Sequence, residues 1–323
     1  MSLFSLRDSP APAVAVEMAA NRVAAASLEW RGGQAVVAAH AAEPLPPGAL
    51  VPALTGVNVH DRAAVVQALA SVLERAGRPR RIGLIVPDVV AKVSLVRFER
   101  VPSKLQELDQ LVRWQVRKSA PFAIEEAQVS YVPGLRADDG QEFIVSLARR
   151  TVIEEYEALC AEAGAHAGLV DLSTFNVINA VLAGSSAPAG DADWLLVNVA
   201  PDYTSIALLR GPSLIFFRNR LADTEGTLGD LVHQTAMYYE DRLKGAGLAR
   251  VILAGAGAAP IEHAPEIEEA RRSLEDRLRT SVEATDPRAA AALTDRITAA
   301  PALLDTLTPL VGLLLRDRDR VPA

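Results

Sequence analysis

Short apolar runs of strand length recur along the chain, and one arrangement of them occurs twice. Each copy has three such runs, separated by turns that carry Gly, Pro or Asp, residues that adopt turn dihedrals at low cost. The runs of the first copy are 14–18, 23–29 and 35–39, and those of the second are 194–199, 204–210 and 213–217. A meander repeated at this size predicts two related lobes that face each other across a cleft.

Helix and strand patterns alternate through the rest of the chain, which predicts an α/β protein. Apolar spacing predicts helices over 61–76, 104–118, 152–163, 228–243, 265–280 and 303–315, with another beginning near Thr174. Strands are predicted over 81–86, 89–98, 143–148, 168–172 and 251–254. Asp61 and Ser103 are the predicted N-caps of the first two helices, and Gly77 is the predicted stop of the first.

These elements divide the chain into two lobes. We expect a first lobe over 1–184, with a small subdomain inserted at about 86–148, and a linker over 185–193 that is rich in small and turn-forming residues. The second lobe is expected over 194–323, with the helix 303–315 packing back on the body.

Composition narrows the function classes. The chain has 323 residues, is 50% hydrophobic and carries a formal net charge of −7, which gives no electrostatic reason to expect a nucleic-acid partner. Its single cysteine, Cys160, is predicted to be a buried, inert thiol. The stretch 172–190 is too polar for a bilayer core, and Arg7 and Asp8 interrupt any secretory signal, so a cytoplasmic location is expected.

Residues for catalysis or metal binding are not indicated. The five histidines have no metal-ligand spacing, and the chain has no nucleophile elbow, P-loop or Rossmann fingerprint. Trp114 lies on an amphipathic pattern and is a core residue by default. The alternative is that Trp114 and Phe122 border an apolar groove for a partner peptide, because aromatic side chains give large contact area at low entropic cost.

The chain resembles the type IV pilus assembly protein PilM family, whose members are actin-like proteins related to FtsA. The most specific part of the likeness is 101–126, and the whole of it runs from about 14 to about 317. The residues that carry it are Val101-Pro102, Val112-Arg113-Trp114 within the helix 108–117, Ala120-Pro121-Phe122, Glu125-Glu126, Leu147-Ala148-Arg149-Arg150, Gly164 and Val170-Asp171.

The resemblance implies an actin/Hsp70-like fold with two lobes, duplicated βββα units, an inserted subdomain in the first lobe and a nucleotide between the lobes. The positions at which ATP would be contacted are Glu17, Asn21, Asn198, Thr204, Gly255 and Gly257. Magnesium is expected only together with a nucleotide.

The phosphate loops depart from the family pattern. The acid of the first loop survives as Glu17, but Ala19 and Ala200 stand where each loop has its glycine, and Asn198 stands where the second loop has its metal-binding aspartate. Pro201 also removes a backbone donor. The connection 218–226 leaves no room for the family's second-lobe subdomain. A degenerate, inactive ATPase is therefore predicted.

Three functions follow from the resemblance. The first is a cytoplasmic scaffold of the type IV pilus platform, recruited to the inner membrane by the tail of a PilN-like membrane protein and in contact with other platform and motor components. In the family, the tail enters the groove between the inserted subdomain and the first lobe, where Trp114 and Phe122 are the expected anchors. The alternatives are an active actin-fold ATPase or kinase-type enzyme, and the cytoplasmic component of a type II secretion platform.

Overall fold

The computed structural model describes residues 12–137, 139–184, 192–222, 227–258, 264–294 and 297–316. Its strands are β1 (Val14–Ala19), β2 (Arg22–Arg31), β3 (Gln34–Pro44), β4 (Arg81–Val86), β5 (Ala91–Phe98), β6 (Ala127–Ala137), β7 (Gly140–Arg149), β8 (His166–Leu172), β9 (Asp193–Val199), β10 (Tyr203–Arg210), β11 (Ser213–Leu221), β12 (Arg250–Ala254), β13 (Val282–Ala284) and β14 (Ala292–Leu293). Its helices are α1 (Arg62–Arg75), α2 (Leu105–Arg117), α3 (Arg150–Glu162), α4 (Ser173–Ala183), α5 (Leu228–Asp241), α6 (Ala264–Leu278) and α7 (Pro301–Leu315).

The first sheet is built on the first meander. Its strand order is β14-β3-β2-β1-β4-β8, with β1 to β3 antiparallel and with β4 and β8 parallel to β1. Successive residues of a strand face opposite sides of the sheet. Val14, Val16 and Met18 of β1 therefore pack with α1 and α3 on one face, whereas Ala15 packs with α7 on the other.

The second sheet repeats this plan. Its order is β11-β10-β9-β12-β13, an antiparallel meander followed by two strands parallel to β9. One face packs with α5 and α6, and the other, through Trp194 and Leu196, packs with α4. Helix α4 also contacts α7 closely, since a Cβ placed on Gly312 would lie 1.7 Å from the carbonyl oxygen of Asn176. The two meanders predicted from the sequence are thus the starts of two related sheets joined by α4.

The inserted subdomain is a small sheet of order β5-β7-β6 covered by α2. Strand β6 was not predicted, although Ala127, Val129 and Tyr131 face the core in alternation with polar residues. The predicted cap of α2 is wrong, because the N-cap is Lys104 and its side chain makes no capping bond. The predicted cap of α1 is confirmed, since Asp61 accepts a hydrogen bond of 3.0 Å from the backbone of Ala64.

The C-terminal part of the described chain lies against the first sheet. Strand β14 pairs with β3, and Leu307, Leu310 and Val311 of α7 pack on the alanine-rich face of that sheet. The division into lobes at 184 and 194 stays a prediction, and residues 185–191 of the expected linker lie outside the described residues. No helix within the described ranges has the length and apolar character that a membrane span requires.

Candidate functional site

A cavity between the two sheets gathers several of the residues at which the resemblance places ATP. Glu17, Asn198 and Gly255 line it together with the turn between β9 and β10 and with Arg22. Asn21, Thr204 and Gly257 are each next in sequence to a lining residue but are not among the lining residues themselves. The cavity has a volume of about 40 Å³. We call it the inter-lobe cleft.

The carboxylate of Glu17 is held by residues of the first lobe. Arg22 donates to its Oε2 at 3.0 Å, and the hydroxyl of Ser173 donates to its Oε1 at 2.9 Å. Glu17 is only 5% exposed. This carboxylate is therefore part of the protein's own hydrogen-bond network.

Asp88 forms the centre of a second network, and sequence reasoning gave it no role beyond ending a strand. It is fully buried and accepts hydrogen bonds from the backbone of Thr174 at 3.0 Å, from the hydroxyl of Thr174 and from the hydroxyl of Ser205 at 2.6 Å. Burial raises the pKa of Asp88 to about 6. An aspartate two positions after a buried strand was the signal in the sequence, since residues that follow parallel strands collect at one edge of the sheet.

The second network joins the two sheets. Asn198 of β9 donates to the hydroxyl oxygen of Thr174 at 2.9 Å, and Asn219 of β11 donates to the backbone oxygen of Asp88 at 3.1 Å. Because the Thr174 hydroxyl already donates to Asp88, it can only accept from residue 198. The amide of Asn198, which stands where the family has a carboxylate, supplies the donor that this position needs.

Unpaired polar atoms are concentrated around the cleft. Both carboxylate oxygens of Asp202, the Nε of Arg22 and the Oδ1 of Asn21 are buried without a hydrogen-bond partner among the described residues. Burial raises the pKa of Asp202 to about 6, and the charge of Asp88 contributes. A polar cavity of about 40 Å³ has room for a few water molecules, each of which needs roughly 10–15 Å³.

The residues of the cleft do not fit a nucleotide with its magnesium. Pockets for ligands of that size measure about 300–1,000 Å³, far more than this cavity offers. Gly255 has a φ of +79°, and a Cβ there would lie 2.0 Å from the backbone oxygen of Val199, so packing between two turns explains this glycine. The backbone N–H of Gly257 donates to Asp305 of α7 at 2.6 Å and is likewise in use.

The two expected partner-binding aromatics lie on the inserted subdomain. Trp114 is 66% exposed on α2, so its default assignment to the core is wrong. Phe122 is half-buried and packs against the core beneath α2. Cys160 is buried as predicted, and burial raises the pKa of its thiol to about 12.

An open groove lies between the inserted subdomain and the first lobe. We call it the inter-subdomain groove. Its volume is about 540 Å³, and one wall is the face of α3 that carries Arg150, Ile153, Glu154 and Glu157. Its floor is formed by alternate residues of β6 and β7, including Ser130 and Ser146. Neither Trp114 nor Phe122 is among its described lining residues.

The groove continues into an apolar pocket of about 450 Å³, because the two share Ser130, Ser146 and the run 169–171. The pocket is lined mainly by the apolar side chains of Tyr131, Val132, Ile144, Phe175, Ile178, Leu182, Leu209 and Leu214. At the junction, Arg316 pairs with Asp171 at 2.8 Å. Glu154 and Glu157 are exposed and have no ion pair among the described residues. The combined surface thus has a charged mouth, with two exposed carboxylates and the guanidinium of Arg150, and an apolar end.

Comparison with known proteins identifies the fold. The sequence model of the family described as type IV pilus assembly protein PilM matches residues 15–241. A PilM-PilN type IV pilus biogenesis complex superposes with a TM-score of 0.76 at 19% identity, over 96% of this chain and 99% of that one. A Bacteroides thetaiotaomicron protein with an actin-like ATPase fold superposes with a TM-score of 0.50 at 9% identity, over 94% and 99% of the two chains. The predicted actin-like α/β fold is confirmed.

Proposed function

The chain belongs to the type IV pilus assembly protein PilM family, and on that premise we propose that it is a scaffold of the pilus inner-membrane platform that binds the cytoplasmic tail of a PilN-like membrane protein. The observation that carries the proposal is the inter-subdomain groove, the open surface that combines exposed carboxylates with an apolar pocket. A short tail with basic and apolar side chains is complementary to both parts.

Binding to this tail would also bring the protein to the membrane. We propose that the protein is cytoplasmic and reaches the inner membrane through this partner, where it contacts other platform and motor components. A type II secretion platform component is the nearest alternative, and the gene neighbourhood distinguishes the two, since pilus genes beside this one support the proposal and secretion genes contradict it.

The ATPase alternative is disfavoured by the chemistry of the inter-lobe cleft. Glu17 and Asp88 are engaged by protein donors, residue 198 must donate rather than accept, and the cavity is an order of magnitude smaller than a nucleotide pocket. We therefore propose that the two lobes are held together by these hydrogen bonds and that the scaffold works without ATP turnover. No metal or catalytic residue is part of this proposal.

The test is titration calorimetry with a synthetic peptide that spans the cytoplasmic residues of the PilN-like protein encoded beside this gene. Ser146 lies on the floor shared by the groove and the apolar pocket, so we expect S146W to abolish binding while the protein stays folded. S281W places the same side chain at an exposed position between α6 and β13 and is the matched control. Equal affinity in S146W and S281W would place the tail elsewhere.

The proposal that the scaffold works without ATP turnover is tested on the same protein. We expect the same peptide affinity with and without Mg-ATP, and no hydrolysis above background. Hydrolysis that disappeared in Glu17→Ala would contradict the proposed inactivity, without affecting the conclusion about the tail.

A further inference from the structure

A separate groove lies where the second sheet meets the inserted subdomain. Its volume is about 720 Å³, and it shares only Ala91 with the inter-subdomain groove. Its walls are the loop 53–55, the start of β5 and the run 216–221 at the end of β11. We call it the edge groove.

The edge groove follows the backbone of β11 rather than a face of the sheet. Every residue of the run 216–221 lines it, and alternate residues of a strand point to opposite faces. A continuous run can line one groove only where the groove runs along the strand's edge. Strand β11 is the last strand of its sheet, and no strand of the described chain pairs with its outer edge. Its outward N–H and C=O groups are a template for an added strand.

The charged side chains of the edge groove are all cationic. Lys92, Arg218 and Arg220 line it, and no carboxylate does among the described residues. Among the described residues, their hydrogen bonds go to neutral oxygens: the backbone of Ser119 at 2.7 Å, the side chain of Gln234 at 3.2 Å and the backbone of Thr227 at 3.0 Å. Hydrogen bonds from the backbone and hydroxyl of Thr227 lower the pKa of Asp230 at the start of α5, and the charge of Arg220 adds a smaller contribution.

Apolar side chains complete the surface. Leu54, Val93 and Phe216 line the groove, and Leu221 at its end is 44% exposed. Phe216 packs against Tyr238 of α5 with ring centroids 4.8 Å apart, and Phe217 stacks on Phe175 at 5.4 Å. Because both rings already have aromatic partners, the groove does not offer the free stacking surfaces on which single-stranded nucleic acids bind.

We propose that the edge groove binds an extended acidic segment of a partner protein, which adds a strand to the outer edge of β11. Main-chain hydrogen bonds to the run 216–221 supply affinity, the carboxylates of the segment face Lys92, Arg218 and Arg220, and its alternating apolar residues lie on the opposite face of the strand, with Leu221. This partner is distinct from the tail in the inter-subdomain groove, where the exposed charges on α3 are mainly acidic.

The experiment uses the full chain and a short fluorescent peptide in which Glu and Val alternate, with binding followed by anisotropy. We expect saturable binding that weakens with salt and that falls by roughly tenfold or more in R218E/R220E. R218Q/R220Q removes the charges without reversing them and should show a smaller loss. R277E/R279E reverses two exposed charges at and just after the end of α6 and is the matched control, with unchanged affinity expected. Melting curves establish that each variant is folded.

Further probes test whether something other than an acidic strand occupies the edge groove. A backbone N-methylated form of the peptide should bind weakly, because it cannot pair with a strand edge. No binding of the Glu-Val peptide, equal binding of a Lys-Val peptide, no effect of N-methylation, or stronger binding of single-stranded RNA would each overturn the proposal. So would a dimer that R218E/R220E dissociates, since a second copy would then occupy the edge. Asp223 and Glu225 follow β11 in the sequence, and binding that appears only in D223N/E225Q would mean that the chain's own segment fills the groove.

Binding of the PilN-like tail should be unaffected by R218E/R220E and abolished by S146W. The two proposals therefore fail independently.

Discussion

The inter-lobe cleft and the inter-subdomain groove are both lined by acidic side chains, yet the acids are used in opposite ways. Glu17 lines the cleft and Asp88 follows the cleft-lining Pro87; both are buried and accept hydrogen bonds from the protein itself, and the cavity measures about 40 Å³. In the groove, Glu154 and Glu157 are exposed along an opening of about 540 Å³. A carboxylate engaged by buried donors stabilises the fold, whereas an exposed one is available to a partner. The difference supports our proposal that the cleft holds the lobes together and that the groove binds the partner.

The largest expected effect is on the cleft network. Asp88→Ala leaves the hydroxyls of Thr174 and Ser205 and the backbone N–H of Thr174 without their acceptor. Each buried donor left unpaired costs about 1–3 kcal/mol, so we expect the free energy of unfolding in urea to fall by roughly 3 kcal/mol or more. Asp241→Ala removes an exposed carboxylate of α5 and should change it little. An unchanged urea midpoint in Asp88→Ala would show that the network does not stabilise the lobes.

Asn198→Asp tests whether the cleft can be returned to the family pattern. A carboxylate at 198 cannot donate to the Thr174 hydroxyl and brings a second negative charge close to Asp88. We expect a loss of about 1–3 kcal/mol in stability and no gain of ATP hydrolysis, because Ala19, Ala200 and Pro201 still crowd both loops. Asn179→Asp makes the same change on a half-buried position of α4 as a control. A stable Asn198→Asp protein with ATPase activity would refute the assignment.

Asp202 gives the cleft a pH dependence. Its pKa is raised from 3.8 unfolded to about 6 in the folded protein, so the folded state holds the proton more tightly. The stability contribution is therefore complete below pH 4 and is lost as pH rises through 6. Asp202→Asn should leave stability at pH 4 unchanged and raise it at pH 8 by on the order of 2 kcal/mol.

The measurement is urea unfolding of the wild type and of Asp202→Asn at pH values from about 4 to about 8. The pKa of Asp88 is also raised to about 6. Stability of the Asp202→Asn protein should therefore still fall in part as the pH rises. Equal pH profiles for Asp202→Asn and the wild type would mean that folding does not shift the pKa of this carboxylate.

Substitutions in the inter-subdomain groove should change the affinity for the tail rather than the stability of the protein. E154K/E157K reverses the exposed charges of α3, and we expect the affinity for the PilN-like tail to fall by roughly tenfold, which corresponds to about 1.4 kcal/mol. Calorimetry at two salt concentrations measures it, since the affinity of the wild type should also weaken with salt. E240K/D241K reverses two exposed charges on α5 and should bind as the wild type does. Loss of affinity in both variants alike would indicate a long-range effect of net charge instead of a docking contact.

The features that the sequence predicted are those set by local pattern. The meanders, the Asp61 cap and the apolar helices each depend on residues a few positions apart, and the structure has all of them. Asp88 meets Thr174 through packing within the first lobe and Ser205 through contact between the lobes, so its role could not be predicted from neighbours in the chain. The resemblance implied Gly255 as an ATP-contacting position, but the structure gives this glycine another reason, contact with Val199, which depends on a strand far away in the sequence. Trp114 was misjudged because amphipathic spacing does not show that its side of α2 faces solvent.

The smallest expected effect separates Trp114 from Phe122. The resemblance made both of them anchors of the tail, and truncation of a buried interface aromatic commonly costs about 2 kcal/mol, or roughly thirtyfold in affinity. Neither lines the inter-subdomain groove, and Trp114 is 66% exposed. If the tail enters that groove, Trp114→Ala should leave both the affinity and the melting temperature nearly unchanged, because the indole has few contacts to lose. Phe122→Ala should instead lower the melting temperature, because the ring packs on the core under α2, and should leave the affinity of the folded protein unchanged. Calorimetry with the tail peptide and melting curves of both variants are the measurements. A thirtyfold weaker affinity in a stable Trp114→Ala protein would move the docking surface to the exposed side of α2, and the acidic groove would then need another occupant.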